Sequence, residues 1–374
     1  MVSRILRKTI EQHLYKGKAI LVTGARQVGK TTLVREIAAS SGRPWLYWNC
    51  DEPDIESFLQ RPNSAVIRDR IGNHTLVVID EAQRVHNIGV TLKLIIDQIH
   101  DVQLLVTGSS ALGLHDSINE PLTGRKVEFH LHPFTFAELV SVSDEMTEVR
   151  LLEQRLIYGM YPEIVLGKFE KSRLLTELTG DYLYKDILSL DSVRKPTIIP
   201  KLLQAISLQI TNEISLTELG EIAGCDRNTV VKYIDLLEKA FVIFTLPALS
   251  RNPRNEIKKS RKIYFWDNGI RNALINQFNS LDLRDDRGKL WENYMTSEFL
   301  KRDLAMDYRS SYYFWRNHQQ KEIDLVREAE SELTAFEFKY GSVKKPHIPH
   351  QFTQEYAVKS YEVVNPENFY TFLR

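Results

Sequence analysis

Residues 24–31 read GARQVGKT, the pattern GxxxxGKT, and Thr32 follows. Those residue types at that spacing can cradle a polyphosphate. Gly24 and Gly29 let the backbone curl, so that N–H groups of a loop running through Ala25, Arg26, Gln27 and Val28 face phosphate oxygens. A helix opening here adds the positive end of its dipole. Lys30 then reaches the β and γ phosphates, and the Thr31 hydroxyl ligates magnesium. Downstream, TLVVIDEAQ carries an apolar run over residues 76–79 that ends in Asp80 and Glu81. Asp80 would join Thr31 in the magnesium shell, and Glu81 would orient and deprotonate an attacking water. Alone, an Asp-Glu pair after a strand is often only a helix cap. With the Gly-rich loop it points to hydrolysis of a nucleoside triphosphate, not binding alone.

A second set of charged residues lies near the C-terminus. TAFEFKY, residues 334–340, alternates as a strand does, so Phe336 and Phe338 share one face and Glu337 and Lys339 the other. Asp324 lies in the preceding strand-like EIDLV, and Glu292 near the start of GKLWENYMTSEFLKR, which reads as an amphipathic helix burying Leu290, Tyr294 and Leu300. Asp324 and Glu337 are hard oxygen ligands suited to magnesium or manganese, with Glu292 completing the acidic cluster. Such an ion lowers the pKa of a bound water and polarises a scissile phosphate. Lys339 would position that water and offset developing charge. The competing reading is a surface Glu–Lys salt bridge.

These groups need elements to hold them. Ala19–Thr23 is an apolar strand, and residues 32–38 have helical spacing with Leu33 and Ile37 on one face. Strand, loop and helix thus follow in the order a phosphate loop requires. The run over 76–79 suits a buried parallel strand, whose C-terminal end is where open α/β sheets bind ligands. A third strand, VQLLVTGSS (102–110), ends in polar residues at the same edge. There Thr107 or Ser109 senses the γ phosphate, or Ser109 or Ser110 merely caps a helix. Arg125, after Gly124, is either a transition-state arginine acting in its own chain or in a neighbouring copy, or a solvated turn residue.

The middle of the chain reads as helical over 146–195, broken at YGMYPEIVL (158–166), with DYLYKDILSL (181–190) as a further helix and a boundary at Pro196 and Pro200. In residues 214–249, Ser215 or Thr217 caps a helix carrying Leu219 and Ile222, Gly224 makes a turn, and Asp226 or Asn228 opens a second helix with Val230, Val231, Ile234 and Leu237. If this pair reads DNA, Arg227, Asn228, Thr229 and Lys232 face the groove; otherwise it is a packing or protein-binding module. The next segment, SRNPRNEIKKSRK (250–262), has six Lys or Arg against one Glu. Arg251, Arg254, Lys258 and Lys259 would there contact phosphates from a wing, or form a solvated hairpin.

The totals narrow the classes. The chain has 374 residues, 43% hydrophobic and 26% charged, which fits a soluble globular protein of two or three domains at roughly 100–200 residues each. Lys+Arg equals Asp+Glu at 49 each, so any nucleic-acid binding must come from a local patch. Cys50 and Cys225 stand far apart, outside any CxxC or Cys/His pattern. That excludes a disulfide framework or a structural zinc site and fits the cytosol. No apolar run approaches the roughly 18 residues needed to cross a bilayer. The basic N-terminal stretch MVSRILRKTIEQHLYKGK reads as a leading helix, not a signal peptide.

GARQVGKTTL, VVIDEAQ, LLVTGSSA and GRKVEFHLHPFTFAEL, in this order, resemble the prokaryotic AAA-type ATPase family that carries a C-terminal domain of unknown function. The resemblance implies ATP as the nucleotide and extends over nearly the whole chain. Residues 214–249 resemble a winged helix-turn-helix. Glu292 on a helix, Asp324 on a strand and Glu337-x-Lys339 on the next resemble the PD-(D/E)XK nuclease core. The expected fold is α/β: an AAA-type P-loop domain over 1–145, a helical linker over 146–195, a winged helix over 196–260 and a nuclease-like domain over 261–374. Three functions fit: an ATP-fuelled switch or motor on DNA, an ATP-gated nuclease using Mg2+ or Mn2+, and a regulatory switch binding a protein partner. A trans-acting Arg125 would require a homo-oligomer.

Overall fold

Continuous apolar runs dictate where the first sheet forms. The computed structural model describes residues 2–61, 63–108, 122–183, 197–250, 261–341 and 347–374; Ser109, Arg251, Arg254, Lys258, Lys259 and most of DYLYKDILSL lie outside them. The chain divides into two units, residues 3–132 with 239–241, and residues 133–238 with 1–2 and 242–374.

In the first unit, strands β1 (Ala19–Thr23), β2 (Trp45–Asn49), β3 (Leu76–Asp80), β4 (Gln103–Gly108) and β5 (Lys126–His130) form one sheet in the order β2-β3-β4-β1-β5, every pairing parallel. The inner strands β1, β3 and β4 are buried at every residue, which is why each carries a continuous apolar run rather than an alternating pattern. Helix Ile88–Gln98 packs its apolar side on this sheet through Leu92, Ile95 and their neighbours, and helix Lys30–Ser40 buries Leu33, Val34 and Ile37. Because all five strands run the same way, the residues ending β1, β3 and β4 emerge along one edge. The N-terminal stretch forms helix Leu6–His13.

The second unit holds the helical segment, the helix pair and the last sheet together. The reason is a set of buried polar ties between segments far apart in sequence. Asp267 caps helix Asn268–Leu274 and also accepts the Met160 N–H at 2.7 Å. Asn272 donates to the Ile157 carbonyl at 2.7 Å, and Arg271 Nε to the Ser207 carbonyl at 2.8 Å. The break expected over 158–166 is confined to 159–161, since Pro162–Leu166 is itself a helix; Gly159 there has φ +71°, and a Cβ on it would collide with the Asp267 carboxylate. Pro200 marks no boundary; it sits in the first turn of helix Ile198–Leu208, where its missing N–H costs nothing.

Helices Leu216–Ala223 and Arg227–Lys239 follow, then the antiparallel pair β6 (Ile243–Pro247) and β7 (Arg261–Phe265). Ser215 caps the first helix, Gly224 ends it in the left-handed region, and Asp226, not Asn228, caps the second by accepting the N–H groups of Asn228 and Thr229. Ile222 and Val231, expected in the core, are exposed. Helix Arg287–Ala305 then leads into a sheet of β8 (Ser310–Arg316), β9 (Glu322–Ala329), β10 (Glu332–Phe338) and β11 (Val358–Val364), in the order β11-β10-β9-β8 with β11 parallel to β10. That helix is not amphipathic. It is buried nearly all round, Leu300 only in part, and two of its inward polar groups are tied at long range: Asn293 Oδ1 accepts the Phe265 N–H and Glu298 the Phe136 N–H, both at 2.7 Å. Among the described residues no helix is long and apolar enough to cross a membrane.

Candidate functional site

The loop over 24–31 joins the end of β1 to helix Lys30–Ser40, and its backbone is curled as the pattern requires. Gly24, Gln27 and Gly29 have φ of +155°, +60° and +97°. Gly24 also passes so close to the Leu131 carbonyl that a Cβ would lie 2.2 Å from its oxygen. Lys30 is buried, and its Nζ donates to the carbonyls of Gly24 at 3.0 Å and Ala25 at 2.8 Å, over the loop it serves. Val28 turns its side chain into the core, while its carbonyl accepts from buried Arg4 at 2.8 Å. Arg4 therefore pins the loop from outside the motif.

Asp80, at the end of β3, is the centre of the acidic part. It accepts from the Thr31 hydroxyl at 3.1 Å, from the Tyr47 hydroxyl at 2.6 Å, and from the Thr107 hydroxyl. A hydroxyl and a carboxylate meeting beside the phosphate loop form a donor set that fits Mg2+. Glu81 is fixed next to it. Its backbone is in the left-handed region at φ +53°, its N–H donates to Thr107 Oγ1 at 3.1 Å, and its carboxylate accepts from Gln83. Burial, and then the adjacent Asp80, push the Tyr47 phenol above its ordinary pKa, so it stays a donor. The same two causes push the buried Cys50 thiol up to about 12, which keeps it neutral.

The structure thus brings together Lys30, Thr31, Asp80 and Glu81. It does not bring Thr107 into reach of a phosphate: the side chain is fully buried and holds the two acids instead. Ser109 lies outside the described residues. Arg125 is at the opposite edge of the sheet. Its carbonyl accepts the Ala19 N–H, where β1 begins, and five strand residues separate that point from the loop, about 16 Å at roughly 3.3 Å each. Its guanidinium pairs with exposed Asp97 at 2.7 Å, which holds that carboxyl below its ordinary value. Arg125 is therefore no finger for its own loop. Tyr47 and Arg4 were missed by sequence reasoning; the one available signal was an aromatic strand, WLYWN, that pairs with the strand ending in Asp80.

In the second unit the expected acidic residues also meet, with two additions. Glu292, Glu322 and Asp324 each bring a carboxylate oxygen to within 4.8 Å of the others. Glu337 stands beside them and pairs with half-exposed Lys339 at 2.5 Å. The added cation is Lys262, on β7, whose Nζ lies 3.0 Å from Glu292 and pairs with Glu322 as well. Burial, then the nearby charges of Glu292 and Glu337, drive the Asp324 carboxyl well above its ordinary range. For Lys262, burial works against the charge, but Glu292, Glu322 and Asp324 outweigh it and raise the pKa. The sequence placed Lys262 in a basic surface run, and nothing local marked it as buried. Arg227, Asn228 and Lys232 are exposed on the helix after Asp226.

Comparison with known proteins gives the following likenesses. Residues 16–140 match a family described as an AAA domain. Residues 149–281 and 287–372 match two families each described as a domain of unknown function. An uncharacterized protein of Mycobacterium tuberculosis is 26% identical over 338 residues, covering 89% of this chain and 73% of its own length. An uncharacterized protein of Haemophilus influenzae is 23% identical over 264 residues, covering 67% of this chain and 63% of its own. Among solved structures, the Thermotoga maritima RuvB Holliday junction branch migration motor aligns with TM-score 0.33 and 16% identity, over 70% of this chain and 92% of that one. A signal transduction ATPase of the STAND type from Pyrococcus horikoshii aligns with TM-score 0.30 and 12% identity, over 80% and 45%. Scores this low carry no function across. The match over residues 16–140, set beside the loop and the Asp80 cluster, makes the nucleotide region an AAA-type, P-loop ATPase-like domain.

Proposed function

We propose that the chain is an ATP-hydrolysing switch that acts on DNA through its second unit. The observation that carries the hydrolysis is the meeting of Thr31, Tyr47 and Thr107 on Asp80, beside a curled loop and with Glu81 held in place. Lys30 binds the β and γ phosphates, and the loop N–H groups take their oxygens. Thr31 and Asp80 would hold Mg2+, which would supply neutralisation of charge on those phosphates. Glu81 orients the attacking water and takes its proton.

Action on DNA is supported by the capped pair of helices and following hairpin, an order that suits a winged helix, with Arg227, Asn228 and Lys232 exposed on the second helix. It is also supported by Glu292 on a helix with Asp324 and Glu337 on adjacent strands and Lys339 beside them, the arrangement of a nuclease-like core. That meeting favours a second reading, metal-dependent DNA cleavage. Phosphate release by the full chain, with Mg2+ and with or without duplex DNA, tests the main reading. Stimulation of several-fold by DNA is expected. An ATPase rate indifferent to DNA, with a protein partner retained on pull-down, overturns it in favour of a protein-directed switch. Plasmid nicking that is lost in Lys339→Ala would select the nuclease.

A further inference from the structure

The acidic cluster of the second unit already holds a cation. One oxygen each from Glu292, Glu322 and Asp324 lies within 4.8 Å of the others, a spacing that a divalent ion would fill. Glu337 adds a buried Oε2 without a hydrogen-bond partner among the described residues. The donor set therefore suits magnesium or manganese. Yet the Lys262 ammonium stands 3.0 Å from Glu292 Oε1 and pairs with Glu322 in the same space, with only 2% of its side chain exposed.

Its position is built, not incidental. Lys262 is on β7, paired across the hairpin with Leu246 and bridged on its other side to Glu213. Tyr264, two residues on and so on the same face, donates to the same Glu292 oxygen at 2.8 Å. The ammonium lies over the face of the Phe314 ring, whose centroid is 5.4 Å from Nζ. Arg316 Nε closes the far side of Glu322 at 3.3 Å. An ammonium held this way and a divalent ion on the same carboxylates would repel each other at short range in a poorly screened site.

We propose that Lys262 is the resident cation of this cluster and stands where a divalent ion would, so that the cluster takes Mg2+ or Mn2+ only when that ammonium is gone. The proposal rests on the cluster alone and is independent of the ATPase reading. It also makes the wild-type cluster incompetent for metal-dependent cleavage, which separates having the nuclease-like arrangement from using it.

The test is Mn2+ binding to the full chain without nucleotide, followed by the paramagnetic resonance of free Mn2+. Wild type and Asp324→Asn are expected to bind alike, because no ion in the wild type depends on Asp324. Lys262→Met keeps an unbranched side chain, one heavy atom shorter, and removes its charge; it is expected to gain one ion per chain, bound at least tenfold more tightly than any at this cluster in wild type. Adding Asp324→Asn to it should remove that ion. Ions near Asp80 do not respond to Asp324→Asn, so the two regions are told apart. A wild-type ion that disappears in Asp324→Asn overturns the proposal, and so does a folded Lys262→Met chain that gains none. The comparison of wild type with Asp324→Asn decides the matter even if Lys262→Met does not fold.

Discussion

Substituting Gly24 with alanine should cost the protein its nucleotide before it costs the fold. A Cβ at Gly24 would lie 2.2 Å from the Leu131 oxygen and 3.1 Å from its carbonyl carbon. Leu131 cannot retreat easily: it is 2% exposed, and its N–H donates to the Thr23 carbonyl at 2.7 Å. The loop must move instead. Overpacking of this kind costs about 1–3 kcal/mol, and the backbone at φ +155° adds about 1–3 kcal/mol for a residue with a Cβ. Relief comes from leaving the curled conformation, so the cost is read as lost affinity. At about 1.4 kcal/mol per tenfold, even about 2 kcal/mol is about 30-fold in Kd. Calorimetric titration with Mg·ATP measures it, with thermal melting to confirm the fold. Gly42→Ala is the control, since its φ is +66° but nothing lies within 4 Å of the new Cβ; its affinity should match wild type. Gly24→Ala with a Kd within about twofold of wild type would refute the reasoning, because about 2 kcal/mol of conflict could not then reside in the loop.

Two further outcomes follow from the same structure. Tyr47→Phe removes a hydroxyl that donates to Asp80 at 2.6 Å; a bond to a charged group is worth about 1.5–3 kcal/mol, so the Mg2+ concentration giving half-maximal phosphate release should rise about tenfold, and an unchanged Mg2+ dependence would count against Asp80 as the ion's ligand. Asp286 lies between Arg271 and Arg284; burial would raise its pKa, but the bond from Arg284 and the charge and bond of Arg271 hold it at about 2 against an ordinary 3.8. A lowered carboxylate pKa stabilises the fold above pH 4 and loses that contribution as the pH falls from about 4 toward about 2, some 2 kcal/mol in all. Asp286→Asn, which leaves Arg271 buried and unmatched, should lower the denaturant midpoint at neutral pH by an amount worth about 3 kcal/mol or more and flatten the acid limb; an unmoved midpoint would sink that account.

What the sequence revealed was whatever its local chemistry determined. Ala19–Thr23 formed the strand expected of it, residue for residue, since an unbroken apolar run before a Gly-rich loop has few other uses. Ser215, Gly224 and Asp226 did what capping and left-handed turn residues do wherever they fall. The partners of Asp80 were hidden because Tyr47 and Thr107 reach it across a sheet whose order β2-β3-β4-β1-β5 is not the order of the chain. Lys262 was hidden for a different reason: charge marks a residue as exposed unless its counter-charges are known, and Glu292 and Glu322 lie 30 and 60 residues away. Helix Arg287–Ala305 misled because its polar residues were assigned to solvent, whereas Asn293, Glu298 and Lys301 face backbone groups of distant segments.

The central claim is hydrolysis at the loop beside Asp80, and phosphate release from Mg·ATP by wild type and Lys30→Ala tests it most directly. The account predicts Mg2+-dependent turnover in the wild type, reduced about a hundredfold or more in the variant, as befits removal of a charge aimed at the transferred group. Turnover unchanged in Lys30→Ala, in a preparation free of other ATPases, would contradict it.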